Sequence, residues 1–233
     1  MYTLHIGNKN YSSWSLRPWV LLTELGIPFH ERLHVFGPGF AAKGEAASPT
    51  GKVPSLHDGE RVVWDSLAIA EYVAERRPGA WPADADARAW ARCAAAEMHS
   101  SFGALREVCS MSCGVRIQLH SMPEALQRDL ARLNELWIDG LDRFGGPFLA
   151  GKSFGAVDAF FCPVAFRVQT FDLRLAPRAQ EYAERLLALD SMKKWYNEAL
   201  KEPWRDAPHE EEIPRYGRLV KDLRVPAKAA TPA

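Results

Sequence analysis

Three short segments place hydroxyl, carboxylate and proline side chains where they could hold and activate a small charged ligand. The first is Asn10-Tyr11-Ser12-Ser13-Trp14-Ser15-Leu16-Arg17-Pro18, between a strand-like stretch and a helical one. A hydroxyl of Ser12 or Ser13 there lies near a helix N-terminus, where unpaired N–H groups and the helix dipole favour an anion. The second is Ser48-Pro49-Thr50-Gly51-Lys52-Val53-Pro54. A Val53-Pro54 bond just before a short strand is suited to the cis form and would leave the Val53 N–H and C=O open to a ligand. The third is Trp64-Asp65-Ser66, entering another helix. Asp65 could take the ammonium of a zwitterionic amino-acid head, with Ser66 and nearby N–H groups taking its carboxylate. Each segment also has a plainer reading, as a helix cap, a turn and a cap pair respectively.

The elements that must position these groups are legible over the first 80 residues. Tyr2, Leu4 and Ile6 alternate with Thr3 and His5, as in a half-buried strand. Ser15 can cap a helix whose first turn holds Leu16, Arg17 and Pro18, with Leu16, Trp19, Val20 and Thr23 on one face and Gly26 and Pro28 ending it. Phe29 to Val35 is predicted as a second strand. Residues 36–52 form a Gly/Pro/Ala-rich connection with weak helical content. Val53–Leu56 and Arg61–Trp64 are predicted to form a hairpin about Asp58-Gly59. Ser66 to Arg77 is predicted as a helix with Ser66 as its N-cap and Pro78-Gly79 as its stop. A helix between the first two strands makes them parallel, and the hairpin adds an antiparallel pair, so the sheet is mixed. After a linker at 78–84 the alternation disappears. Helical spacing then covers 87–110, 123–143, 156–171, 178–189 and 191–201. The expected organisation is an α/β domain over 1–80, an all-α domain over 87–205, and a Pro- and charge-rich tail over 206–233 whose last ten residues are mobile.

Composition narrows the function classes. The 233 residues carry 29 Lys plus Arg and 29 Asp plus Glu. That balance argues against a nucleic-acid binder and a polybasic membrane-surface protein. No window approaches the ~20 apolar residues that span a bilayer. The segment Met1–Gly7 lacks the basic-then-apolar pattern of a signal peptide, so a cytoplasmic location is expected. Cys93, Cys109, Cys113 and Cys162 form no Cys-x-x-Cys pair, and no metal site is expected. Cys109 and Cys113, four apart, are expected as reduced thiols that could share a helix face.

The order and spacing of the three segments, followed by helices, resemble a cytosolic glutathione S-transferase over roughly residues 1–205. The resemblance implies a thioredoxin-like α/β N-terminal domain that binds glutathione as co-substrate. It also implies a helical domain supplying the pocket for a small electrophile, and a homodimer. The loop Ser12-Ser13-Trp14-Ser15-Leu16-Arg17 is similar to the Ser-Ser-Cys-Ser-x-Arg loop of the zeta class, whose first serine activates the thiol. That places activation on Ser12, with Ser13 adjacent. Val53-Pro54 matches the family's cis-proline element, Lys52 falls near the glycyl end, and Asp65-Ser66 matches the pair that grips the γ-glutamyl group. Trp14 stands where the zeta loop has cysteine, so no thiol nucleophile is present there. Gly155-Ala156-Val157-Asp158 stands where the family has a Ser/Thr-x-x-Asp capping box. The electrophile pocket is expected between the Ser12 loop and the helix at 87–110, lined by Trp14, Met98, His99, Phe102 and Arg106. Core packing of Met98 and Phe102, a satisfied His99 and a surface ion pair of Arg106 stay open. A glutathione-dependent isomerase and a non-catalytic binding or regulatory protein of this fold are the alternative functions.

Overall fold

The computed structural model describes residues 1–37, 40 and 48–227. Strand β1 (Tyr2–Gly7) leads through a loop into α1 (Ser13–Glu24), then β2 (Phe29–His34), β3 (Ser55–Asp58), β4 (Arg61–Trp64) and α2 (Ser66–Ala74). The sheet order is β2-β1-β3-β4. β1 pairs with β2 in parallel, from Tyr2↔Phe29 to Gly7↔His34, and β3 pairs antiparallel with β1 and β4. This is the expected mixed, thioredoxin-like sheet. Leu4, Ile6 and Leu56 are fully buried under α1 and α2, as period-two alternation requires of a sheet with one covered face. The weak helical content expected over 36–52 falls on residues 38–39 and 41–47, which lie outside the described residues.

Two cap assignments shift. Helix α1 starts at Ser13 with Ser12 as its N-cap, not at Ser15. Pro18 consequently lies inside the helix, where its missing N–H leaves the Trp14 carbonyl without the usual partner. Helix α2 is capped by Asp65, whose carboxylate accepts the Leu67 N–H at 2.8 Å, and it stops at Ala74.

The second region packs α3 (Ala85–Ser100), α4 (Gly103–Val108), α5 (Glu124–Phe144), α6 (Ala156–Phe171), α7 (Pro177–Ala188) and α8 (Asp190–Leu200). Helix α6 is its axis. Every residue from Ala156 to Val168 is buried, as expected of a helix that is apolar all round. Its start keeps half of a capping box: Asp158 accepts the Gly155 N–H at 2.9 Å, and also the Leu149 N–H and the Tyr182 hydroxyl. Among the described residues no helix is long and apolar enough to cross a membrane.

Three differences from the expected all-helical domain bear on the site. The helix at 87–110 is two helices, broken where Phe102 takes a left-handed backbone with φ 59°. Ser100 and Ser101 precede the break, and serine competes for backbone partners in non-helical geometry. Cys109 follows the end of α4 and Cys113 lies in the turn beyond, so the two thiols share no helix face. Finally, β5 (Val115–Leu119) pairs antiparallel with β6 (Gly217–Asp222), and a short α9 (Ala207–Glu212) precedes β6. Residues 206–227 are therefore a folded return of the chain, and only 228–233 of the expected mobile tail lie outside the described residues.

Candidate functional site

The loop after β1 is fixed from the helical side. The N–H groups of Lys9 and Asn10 donate to the Glu202 carboxylate at 2.7 and 3.2 Å. The Asn10 amide donates to the Ala199 carbonyl at 2.6 Å, and the Trp195 indole donates to the Lys9 carbonyl at 2.9 Å. The buried Lys9 ammonium pairs with Glu31 at 2.8 Å and with Glu198. These bonds hold Ser12 and Ser13, each 7% exposed, at the N-terminus of α1. The Ser12 hydroxyl lies 2.7 Å from that of Ser15, which accepts the Gly7 N–H at 3.1 Å. The neighbouring Tyr11 hydroxyl donates to Glu210 at 2.6 Å, and burial with this carboxylate pushes its pKa well up. Its proton is thus committed away from the serines.

The other two segments converge on the same end of the sheet. Val53–Pro54 is a cis peptide bond. Among the described residues, the Val53 N–H and C=O have no hydrogen-bond partner. Asp65 has φ 72° and ψ 137°, a conformation that costs a non-glycine residue ~1–3 kcal/mol and marks functional sites more often than ordinary turns. Its free oxygen faces the His99 ring at 3.7 Å. The Ser66 hydroxyl, fully buried, accepts from Arg17 at 3.2 Å, so its own proton can point outward. A cleft of about 520 Å³ is lined by Trp14, Thr50, Lys52, Val53, Pro54, Trp64, Asp65 and Ser66. A cavity of about 310 Å³ adjoins it, sharing Trp14, Lys52 and Val53, and its wall includes Ser12, Ser13 and Arg106.

Trp14 separates the two spaces. The guanidinium groups of Arg17 and Arg106 lie 4.6 and 5.1 Å from its ring, and His99 meets it edge-on at 5.0 Å. Arg17 is 1% exposed, and burial together with Arg106 and Arg167 pushes its pKa down to about 9, which leaves it charged at neutral pH. His99 accepts from Arg17 at 3.4 Å, and burial lowers its pKa against the pull of Asp65.

The expected electrophile wall is only partly realised. Arg106 and Trp14 line the smaller cavity. Met98 and Phe102 are core residues, 2% and 4% exposed: Met98 shares the buried face of α3 with Ala91, Ala94 and Ala95, and Phe102 follows at the break. His99 lies behind Trp14, on the Arg17–Asp65 side. Among the described residues Arg106 forms no ion pair. It donates to the carbonyls of Met98, His99 and Ser101. The wall also holds Tyr11, Phe36, Phe40, Ser110, Met111, Arg167, His209 and Glu212. A lone arginine in the apolar run of α6 was a usable clue to Arg167, since charged residues seldom occupy buried helices without a reason. His209 and Glu212 carry no such local clue. Cys109 and Cys113 lie beneath the wall, and burial pushes the Cys109 thiol up to about 12, which makes it an inert packing group. Among the described residues no group of three His, Cys, Asp or Glu could hold a metal ion.

Residues 11–76 match the family described as glutathione S-transferase, N-terminal domain. Over 60 residues the chain is 42% identical to the dichloromethane dehalogenase of Methylorubrum extorquens, a match covering 24% of this chain and 21% of the dehalogenase. The chain thus matches only about a fifth of the length of that relative. A solved glutathione transferase homologue from Burkholderia, with bound glutathione, superposes with a TM-score of 0.64 at 25% identity, covering 85% of this chain and 97% of the other. The theta-class enzyme of Xanthomonas axonopodis pv. citri, also with glutathione bound, gives 0.61 at 22% identity over 84% and 96%. A tau-class enzyme from mango gives 0.64 at 20% identity over 84% and 92%. The family match is thus confined to the N-terminal segment, and what almost the whole chain shares with the solved glutathione transferases is the fold.

Proposed function

We propose that the protein is a glutathione transferase of serine type, with a zeta-like loop, acting as a cytoplasmic homodimer on a small electrophile. The observation that carries this is that two spaces adjoin, with Trp14, Lys52 and Val53 on their shared wall. One is lined by the cis Val53–Pro54 bond, Asp65 and Ser66, and the other by Ser12 and Ser13. Glutathione bound with its γ-glutamyl ammonium on Asp65, its carboxylate on Ser66 and its cysteinyl backbone on Val53 would point its sulfur toward the α1 N-terminus. Lys52 lies on the shared wall for the glycyl carboxylate.

A free thiol has a pKa near ~8.5, so a hydroxyl donor and a helix N-terminus both favour the thiolate at neutral pH. The thiol proton leaves to solvent. The sulfur lone pair then forms a C–S bond with the electrophile, while the leaving group departs with its bonding pair. With a conjugated acceptor, the π pair moves to the adjacent carbon, which takes a proton. A serine acts here as a donor and not as a base, because an unassisted hydroxyl does not ionise near pH 7. Calorimetric titration with glutathione, followed by a glutathione-soaked crystal, tests the assignment. Binding with sulfur within hydrogen-bond reach of Ser12 or Ser13 is expected. Absence of binding, or a sulfur distant from both serines, refutes it. Binding without turnover of any of a panel of electrophiles would make the protein a carrier of this fold.

A further inference from the structure

The cavity beside the serines carries more positive charge than its walls neutralise. Arg167, 6% exposed, projects from α6, whose other charged residue is Asp158 in its first turn. One of its nitrogens, Nη1, donates to the carbonyls of Cys109 and Arg106. Its Nε and Nη2, and Nη1 of Arg106, have no protein partner among the described residues. Neither guanidinium has a carboxylate within 4.0 Å among those residues, and Arg17 behind Trp14 has none either. Among the described residues Glu212 is the one carboxylate on the wall; it lies beyond 4.0 Å of both guanidinium groups and acts on Arg167 only through space. Lys52 adds a further cation at the mouth.

A buried guanidinium left without a counter-charge is costly, and two that face one cavity repel each other. Carbonyl groups satisfy some of their N–H bonds but do not cancel the charge. A wall that needed only to be apolar would be better served by leucine or methionine at these positions. The free N–H groups of Arg106 and Arg167 point to an absent anion, and planar guanidinium groups match the geometry of a carboxylate.

Resting on the transferase assignment above, we infer that the second substrate carries a carboxylate, held by Arg106 and Arg167 while its electrophilic carbon faces the thiol beside Ser12 and Ser13. Trp14, with the Arg17 and Arg106 guanidinium groups close to its ring, lines the same cavity and borders the rest of the molecule.

The test compares 4-chloro-3-nitrobenzoate with its methyl ester, each rate divided by the uncatalysed rate with glutathione. Alongside, binding of unreactive 3-nitrobenzoate and nitrobenzene is measured on the protein without glutathione. A charge-assisted contact makes the carboxylate favoured by about 10- to 100-fold in both measurements. Arg167→Gln should reduce that ratio at least tenfold, with partial recovery in Arg167→Lys. Arg106→Gln, at a half-buried position, repeats the test should Arg167→Gln fail to fold. A ratio near one in a protein that binds glutathione refutes the carboxylate site and leaves the transferase assignment standing. Preference for 3-nitrobenzoate in a protein that does not bind glutathione keeps the anion site and refutes the transferase assignment. A protein that binds neither refutes both.

Discussion

The hydroxyl chain at the head of α1 makes a quantitative prediction about thiol activation. Ser15 accepts the Gly7 N–H and the Ser12 hydroxyl, the latter at 2.7 Å, and among the described residues its own proton has no other side-chain partner than Ser12. Hydroxyl hydrogens rotate to suit their partners. A thiolate arriving at Ser12 would therefore turn the chain into Gly7 N–H to Ser15, Ser15 O–H to Ser12, and Ser12 O–H to sulfur. A hydrogen bond to a charged acceptor is worth about 1.5–3 kcal/mol. At about 1.4 kcal/mol per pKa unit, Ser12→Ala should raise the pKa of bound glutathione by about 1–2 units. Ser15→Ala removes only the polarisation of that bond, about 10–30% of its strength. Its shift should be a few tenths of a unit, accompanied by lost stability because the buried Gly7 N–H loses its partner. The ultraviolet absorbance of the thiolate, titrated against pH in each variant and in wild type, reads both shifts. Affinity for glutathione should change little in Ser12→Ala, since most of the tripeptide is held elsewhere. An unshifted titration in Ser12→Ala with a raised pKa in Ser13→Ala would transfer the role to Ser13. A Ser15→Ala shift as large as that of Ser12→Ala would show that the serines act through loop position and not through a donated proton.

Two further outcomes follow from strain and from burial. Asp65→Gly should relieve the φ 72° backbone at a cost of only a few tenths of a kcal/mol in capping, so net stability rises by about 1 kcal/mol while glutathione affinity falls, as thermal melts and calorimetry would read; a destabilised variant would show that the Asp65 conformation is unstrained. His5, 6% exposed and close to His34 and His57, has its pKa lowered to about 4 by burial and by the other imidazoles. Its native pKa lies below the ordinary value of about 6.5, so the unfolded chain holds a proton that the native state refuses between those limits. Its contribution is complete above pH 6.5 and lost as pH falls toward 4, by at most about 3 kcal/mol. Asp158, pushed up to about 6 by burial, works in the opposite sense, so the readout is the difference between wild type and His5→Gln in urea denaturation across that range. An acid limb no shallower in His5→Gln than in wild type would remove His5 as its source.

How much of this was legible in the sequence depended on how far each residue's determinants lay along the chain. The alternation in β1, the Asp58-Gly59 turn and the runs in α5 to α8 are set by neighbours within a few residues, and they appear where the pattern places them. The cap of α1 was misplaced by three residues because Ser12 and Ser15 satisfy the same local rule. What distinguishes them is the Gly7 N–H, which recruits Ser15 from the preceding strand. Ser66 was likewise preferred over Asp65 as cap, because sequence cannot show that the Ser66 hydroxyl is claimed by Arg17, 49 positions away. Helical spacing through Ser100-Ser101 leaves Met98 and Phe102 open to the pocket wall or the core, and the buried face of α3 with the left-handed residue at Phe102 puts both in the core.

The C-terminal return is the clearest case of composition giving the wrong inference for a sound reason. Residues 206–227 are too polar to build a core of their own, and that much the sequence states correctly. Docking needs no separate core when the segment pairs several of its charges internally and bonds to groups of the N-terminal loop. Arg224 is held between Glu210 and Asp222, Glu210 accepts the Tyr11 hydroxyl, and His209 stacks on Tyr11 and Phe36 at 4.8 and 5.4 Å. The main chain is admitted by two glycines. A Cβ at Gly114 would meet the Arg224 side chain, and one at Gly217 would lie 2.6 Å from the Gln118 carbonyl. Strand β6 then pairs with β5 and fixes the register that sets α9 against the loop beside Ser12. Tyr11 is thereby bound to the 206–227 return while its neighbour Ser12 faces the cavity. The wall of the smaller cavity and the serine loop are thus one hydrogen-bonded unit assembled from opposite ends of the sequence. Substitutions in the return should for that reason alter which electrophile is accepted before they alter how glutathione is held.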